Sequence, residues 1–164
     1  MNIIITGSNG FLAKKLISNI SKKKNFIIGI DNKLNDIKIK KNFKFIKCDI
    51  TNNKKLLKEI KKIKLKIDLV IHMAALQPLS QKQDLFKMNS VNSLGTSNIL
   101  SICKELSIKK LIYTSSFSVY GKKNKLPIKE DVILNPQNYY GISKIFAEKQ
   151  IQFYASKNNL KYII

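Results

Sequence analysis

Not one arginine occurs among the 31 basic residues, tryptophan is missing altogether, and only 10 acidic residues oppose the lysines, which leaves a formal net charge of +21. Such a surplus of cations suggests nucleic acid, because lysines that neutralise phosphates release counterions and bind in a salt-dependent way. The missing arginine speaks against that. Arginine is the planar fork that reads guanine and grips phosphate bidentately, so its absence removes the usual means of sequence-specific recognition. Abundant Lys, Asn and Ile together are what an AT-rich coding sequence yields with no partner selecting for them. No nucleic-acid partner is expected.

Sulfur and imidazole are as scarce. Cys48 and Cys103 are too few for a disulfide framework and have no metal-type spacing. They fall in segments that read as strand and helix, so reduced, buried thiols in the cytoplasm are expected. His72 is the only histidine, and nothing near it suggests a metal or a Ser-His pair, so no metal is expected. No apolar stretch approaches the roughly 20 residues that cross a bilayer. Ile3-Ile4-Ile5 has neither a basic segment before it nor a cleavage-like site after it. Neither a membrane nor export is expected. At 164 residues and 44% hydrophobic content the chain closes one core but not comfortably two, so a single domain over 1–164 is expected.

What the chain does contain is an alternation of short apolar runs with longer amphipathic ones, the pattern of βαβ units feeding a parallel sheet. Strands are predicted at Asn2–Thr6, Asn25–Ile30, Phe43–Cys48, Asp68–Met73 and Lys110–Ser115. Helices are predicted at about Phe11–Lys22, Asn53–Ile63, Gln83–Leu106 and Asn138–Asn158. Lys33–Asn42 is polar and aperiodic and reads as loop, as does the stretch after Tyr120-Gly121 that Pro127 and Pro136 punctuate. In the second helix Leu56, Leu57, Ile60 and Ile63 recur at helical spacing, leaving the lysines on a solvated outer face. Leu160–Ile164 reads as the start of a sixth strand. An uncovered edge of that kind is one that complete proteins manage, so a C-terminally truncated gene is expected. The fold class is α/β: a doubly wound Rossmann-type parallel sheet with helices on both faces, its sixth strand only begun.

Directly after the first strand, and opening a helix, stands TGSNGFLA, Thr6 to Ala13. In such a G-x-x-G-x-x-A turn Gly7 allows the tight bend, Gly10 lets backbone approach a pyrophosphate, and Ala13 lets the helix pack on the sheet. The unpaired N–H groups and the dipole of the first helical turn then attract phosphate without a charged side chain. Asp31 ends the second strand, 18 residues beyond Ala13, where a carboxylate accepts hydrogen bonds from a ribose diol. That favours NAD over NADP, because a 2′-phosphate would meet its negative charge, although Lys33 nearby softens the repulsion.

The second constellation is Tyr140-Gly141-Ile142-Ser143-Lys144, near the start of a predicted helix. Side chains at i and i+4 share a face. A tyrosine ionises near pH 10 and makes a poor base at neutral pH unless an ammonium beside it favours the phenolate, which Lys144 can do. The same chemistry wants a hydroxyl to fix the reacting oxygen. Thr114-Ser115-Ser116 leaves the fifth strand at the carboxyl edge where such sites form, and Ser116 is the expected residue. Taken together these groups form a proton-relay set for hydride chemistry at a carbinol carbon.

These motifs resemble those of the extended short-chain dehydrogenase/reductase family, whose members include UDP-glucose 4-epimerase and the nucleotide-sugar dehydratases, and the resemblance covers essentially the whole chain. It implies a phosphate loop at Gly7, Asn9, Gly10, Phe11 and Leu12, ribose contacts at Asp31 and Asn32, and adenine contacts at Asp49 and Ile50. It implies further that Met73, Ala74 and Ala75, in His72-Met73-Ala74-Ala75, line the nicotinamide side, with Thr114 beside the cofactor. Asn92, in Asn92-Ser93-Leu94-Gly95-Thr96, would help order the site, and Ser116, Tyr140 and Lys144 would form the catalytic triad, the last two also touching NAD.

The implied function is NAD-dependent nucleotide-sugar epimerase or dehydratase chemistry, with hydride moving between a sugar carbon and nicotinamide. Ala13 stands where the family more often has Gly. The family also continues past this sequence with an R-x-x-N-x-x-G stretch and a smaller lobe that holds the sugar nucleotide. A non-catalytic NAD-binding module is therefore the competing reading. The resemblance also implies a homodimer, with Gln83–Leu106 and Asn138–Asn158 packing against their mates as a bundle.

Overall fold

Successive side chains of a strand point to opposite faces of its sheet, and the first strand divides its isoleucines accordingly. In β1 (Asn2–Thr6), Ile3 and Ile5 join Ala13 and Ile17 of α1 (Phe11–Ile20) in one core. Ile4 turns the other way, into a larger core with Leu56 and Ile60 of α2 (Asn53–Lys61). The computed structural model describes residues 1–34, 37, 41–78, 84–122 and 126–164.

The remaining strands are β2 (Phe26–Asp31), β3 (Phe43–Lys47), β4 (Leu69–His72), β5 (Lys110–Tyr113) and β6 (Lys161–Ile163). All six pair in parallel, in the order β3-β2-β1-β4-β5-β6. Every predicted strand is present, with ends shifted by a residue or two. The chain therefore winds outward from β1 to β3, then returns to the other side of β1 to continue with β4. That reversal opens a crevice beyond the carboxyl ends of β1 and β4, where open α/β sheets bind ligands. Registry places Thr6 opposite His72 and His72 opposite Tyr113. Gly7, Met73 and Thr114, the next residues, line that crevice's floor.

The helix expected over Gln83–Leu106 comes in three pieces: α3 (Leu85–Asn89), a π-helical turn at Ser90–Leu94, and α4 (Gly95–Glu105). Gln83 lies outside the described residues, as do 35, 36 and 38–40 of the expected Lys33–Asn42 loop and 123–125 of the loop after Gly121. A short 3-10 turn at Phe117–Val119, absent from the sequence prediction, follows β5. α1 stops at Ile20 rather than Lys22 because the Asn25 amide donates to the Ile20 carbonyl and closes the end. The last helix, α5 (Tyr139–Asn158), is capped by the Asn138 side chain, which accepts from Gly141 N–H.

Ile99, Leu100, Ile102 and Cys103 of α4, with Ala147 and Ile151 of α5, complete the larger core. Cys48 and Cys103 are free and buried, and burial pushes the Cys103 thiol up to about 12. Among the described residues no helix is long and apolar enough to cross a membrane.

Candidate active site

Gly7 is required twice over: its φ is +68°, and a Cβ there would stand 2.7 Å from Ala74 Cα and 2.8 Å from Ala74 N. The turn after β1 thus lies directly on the segment after β4. Gly10 differs. Its φ of −65° and ψ of 152° suit any residue, and a Cβ would meet only the Gly7 carbonyl, at 3.1 Å. The backbone angles make no demand for glycine there, and a side chain needs only the Gly7 carbonyl to give by a few tenths of an ångström; the missing side chain leaves room at the amino end of α1. No side chain caps that end and no acidic residue sits in its first turn, so its N–H groups and positive dipole end are free to receive an anion. Phe11 and Leu12 flank the opening as exposed apolar side chains, and Ala13 is buried on the sheet.

Asp31 ends β2 beside this turn. One of its oxygens accepts from Asn9 N–H at 2.9 Å and the other from Lys33 N–H at 3.0 Å. The carboxylate is thereby aimed by the glycine turn itself, and each oxygen keeps a lone pair for a further donor. Asn9 is held in turn by its amide, which donates to the Leu34 carbonyl at 2.9 Å. Asn32 is exposed. After β3, Asp49 accepts from the Thr51 N–H and hydroxyl at 2.9 and 2.8 Å. The neighbouring Ile50 is buried, and its carbonyl is tied to the Asn98 amide at 2.9 Å.

On the other side of the crevice, Met73, Ala74 and Ala75 run in irregular, half-buried backbone. Asn92, in the π turn, spends its amide inside the protein: its oxygen accepts from Leu76 N–H at 2.7 Å, and its nitrogen donates to Leu76 O at 3.1 Å and Ser143 Oγ at 2.9 Å. Its contribution is to order the chain around the site. His72 is completely buried; burial first, and the Lys144 charge second, push its pKa down to about 3, so the ring is neutral.

Lys144 is the least usual residue of the set, because it is 2% exposed and still carries an ionisable amine. Its Nζ donates to the Thr114 carbonyl at 2.6 Å and lies 4.1 Å from the centroid of the Tyr113 ring, a cation–π contact. Burial pulls its pKa down to about 8, while the nearby Glu148 charge raises it. Burial also raises the Tyr113 phenol.

Tyr140 is buried in the first turn of α5. A Cβ on Gly141 would lie 2.5 Å from the Ser118 carbonyl, so its lack of one lets this turn dock on the segment that carries Ser116. Of the paired serines, Ser115 gives its hydroxyl to Glu148 within the fold. Ser116 stays half-buried at the strand's end, its hydroxyl accepting from Ser118 N–H and donating to Ser118 Oγ, each at 3.2 Å.

A model of the NAD dependent epimerase/dehydratase family matches residues 3–164. The chain belongs to that family. Among its relatives, a putative UDP-glucose 4-epimerase of Methanocaldococcus jannaschii is 32% identical over 99% of this chain and 53% of its own. The dTDP-D-glucose 4,6-dehydratase of Dictyostelium discoideum is 38% identical over 99% of this chain and 42% of its own. In structure, the UDP-glucuronic acid 4-epimerase of Bacillus cereus, crystallised with UDP-glucuronic acid and NAD, superposes with a TM-score of 0.85 at 28% identity, over all of this chain and 55% of that one. This epimerase/dehydratase chain thus spans about half the length of the relatives it matches.

Two site residues escape sequence reasoning. Glu148 is buried, receives the Ser115 hydroxyl and faces the Lys144 charge, and it belongs to none of the motifs singled out in the sequence. The signal that could have found it is its place four residues beyond Lys144, on the same helical face. Ser143, inside the Tyr-to-Lys motif, accepts from Asn92 and donates to the Tyr140 carbonyl at 2.7 Å. It stands one residue before Lys144, at a position assigned no role from the sequence.

Proposed function

We propose that residues 1–164 form the NAD-binding domain of a nucleotide-sugar epimerase or dehydratase, with Tyr140, Lys144 and Ser116 as its proton-handling set. The observation that carries this reading is the opening over α1: a glycine turn that leads into the uncapped N–H groups of the helix, a second glycine at the mouth of that opening, and a carboxylate aimed by that same turn. A dinucleotide fits these residues. Gly7, Asn9, Gly10, Phe11 and Leu12 would hold the diphosphate, Asp31 and Asn32 the adenine-side ribose, and Asp49 and Ile50 the adenine. Met73, Ala74, Ala75 and Thr114 would border the nicotinamide. Asn92 serves by ordering Leu76 and α5 around it. The Asp31 carboxylate repels a 2′-phosphate, which supports NAD over NADP.

When bound, NAD supplies a reversible hydride acceptor for a carbinol carbon. The chain's own residues handle the proton. Tyr140 exchanges it with the sugar hydroxyl, Ser116 holds that oxygen, and Lys144 binds the nicotinamide ribose while placing a positive charge on the tyrosine's side of the site. Nucleotide sugars are the proposed substrate class, in line with the UDP- and dTDP-sugars that the relatives' names specify. Exposed Phe146 and Phe153 on α5 support a second copy packing there.

A second reading, for residues 1–164 taken by themselves, which span about half the length of these relatives, is a module that binds NAD without catalysis. The two separate on titration with NAD and then a UDP-sugar: cofactor binding with no sugar-dependent NADH or product supports the module. In a version joined to a substrate lobe, Tyr140→Phe is expected to abolish turnover and leave NAD bound. Unchanged turnover rejects the role of Tyr140.

A further inference from the structure

We propose that His72 is a positioning residue, a hydrogen-bond coupler of fixed tautomer that sets the nicotinamide end of the cofactor site. The role rests on the NAD reading above; the tautomer does not. Thr96 has one hydroxyl hydrogen, and Asn92 O, 2.7 Å away, is a carbonyl that can only accept it. Thr96 Oγ1 therefore meets His72 Nε2, 3.0 Å away, as an acceptor, and Nε2 carries the ring's hydrogen. On the opposite edge, Thr6 Oγ1 receives the Met73 and Ala74 N–H groups, each at 3.2 Å. Its own hydrogen then goes to Nδ1 at 2.7 Å, the bare nitrogen of that tautomer. Every donor in the set has one acceptor, and the direction cannot be reversed at either end because both ends are backbone groups.

The set joins the two halves of the crevice. Through Thr6 the imidazole holds the two amides that open the Met73–Ala75 segment; through Thr96 it holds the Asn92 peptide. The Asn92 side chain carries the connection to Leu76 and, by way of Ser143, to the carbonyl of Tyr140. Thr6, His72, Asn92, Thr96 and Ser143 are all buried, so no water competes for these bonds. The ionisable groups around the ring are Tyr113, at 5.5 Å between ring centroids, and Lys144; burial and the Lys144 charge both disfavour a second ring proton. His72 thus transmits position and exchanges no proton.

Because His72 is the only histidine, one nitrogen-15 spectrum of the imidazole reads the coupler without ligand. The expected result is the Nε2–H tautomer, unchanged from about pH 5 to about pH 9. The Nδ1–H form, or protonation within that range, overturns the proposal. For the positioning role, NADH and ADP-ribose, which has the diphosphate but no nicotinamide, are titrated into wild type, Thr96→Val and Thr96→Ser. Thr96→Val should weaken NADH about tenfold and ADP-ribose less than about twofold, with Thr96→Ser near wild type. Equal weakening of both ligands, or none, overturns the role. If wild type binds neither ligand, the NAD reading fails and takes the positioning role with it, and the spectrum distinguishes that failure from a wrong tautomer.

Discussion

Lys144 concentrates the proposed chemistry in one side chain. An ammonium so buried is costly unless its hydrogens and its charge are met. The Thr114 carbonyl and the Tyr113 ring face meet it directly, and Glu148 supplies the opposing charge. With its pKa lowered to about 8, Lys144 is charged below that pH and neutral above it. The affinity for NADH is therefore expected to decline as pH rises through about 8, whereas Lys144→Met should bind weakly and without that inflection. A pH series of fluorescence titrations checks this. The linkage has a definite sign: between about 8 and 10.5 the unfolded chain holds a proton that the folded chain has released, so this group's contribution to stability rises with pH across that window. Lys144→Met should remove that rise from melting curves. The motif makes Lys144 visible in the sequence, but its carboxylate partner is hidden, because depth decides whether an acid four residues from a lysine is a surface pair or a buried counter-charge.

The amino end of α5, which carries Tyr140, is docked on the segment that carries Ser116 by two local devices, the Asn138 cap and the missing Cβ of Gly141. Helix propensity alone would favour alanine over glycine at 141 by about 1 kcal/mol. The Ser118 carbonyl, 2.5 Å from where that Cβ would stand, makes the opposite prediction. Gly141→Ala should destabilise by about 1–3 kcal/mol, the usual range for forced overpacking. Thermal melting measures it, and a rise in Tm would mean that the helix start shifts freely. Strands and helices were legible in the sequence because the inner strands are short apolar runs buried on both faces, as with Ile3 and Ile5 in one core and Ile4 in the other, whereas a helix such as α2 buries one face, with Leu56 and Ile60. The π turn was not, since five residues are too few for their period to be told from that of the α-helical turns on either side. It is nevertheless the element that turns Asn92 inward, and the Asn92 position was found only through the resemblance. The 3-10 turn after Ser116 left no periodic trace in three residues.

At the scale of the whole molecule, the sheet order and the run of lysines play separate parts. The winding β3-β2-β1-β4-β5-β6 creates the crevice and brings residues as distant in sequence as Gly7, Ala74, Thr114 and Tyr140 to one edge. The charge of +21 lies largely on solvated faces such as that of α2, and no site residue other than Lys144 draws on it. The central claim is that a diphosphate rests over the free end of α1, and Gly10 allows fold and ligand to be tested apart. Its backbone suits a side chain, which would project into the very space assigned to the phosphates. Calorimetric titration of NADH into wild type and Gly10→Val, with melting curves for both, is the most direct measurement. The expected result is binding by wild type, and by Gly10→Val a melting temperature within a few degrees of wild type with affinity lower by more than about tenfold. A folded wild type that does not bind NADH, or a Gly10→Val protein that binds it equally well, would contradict the account.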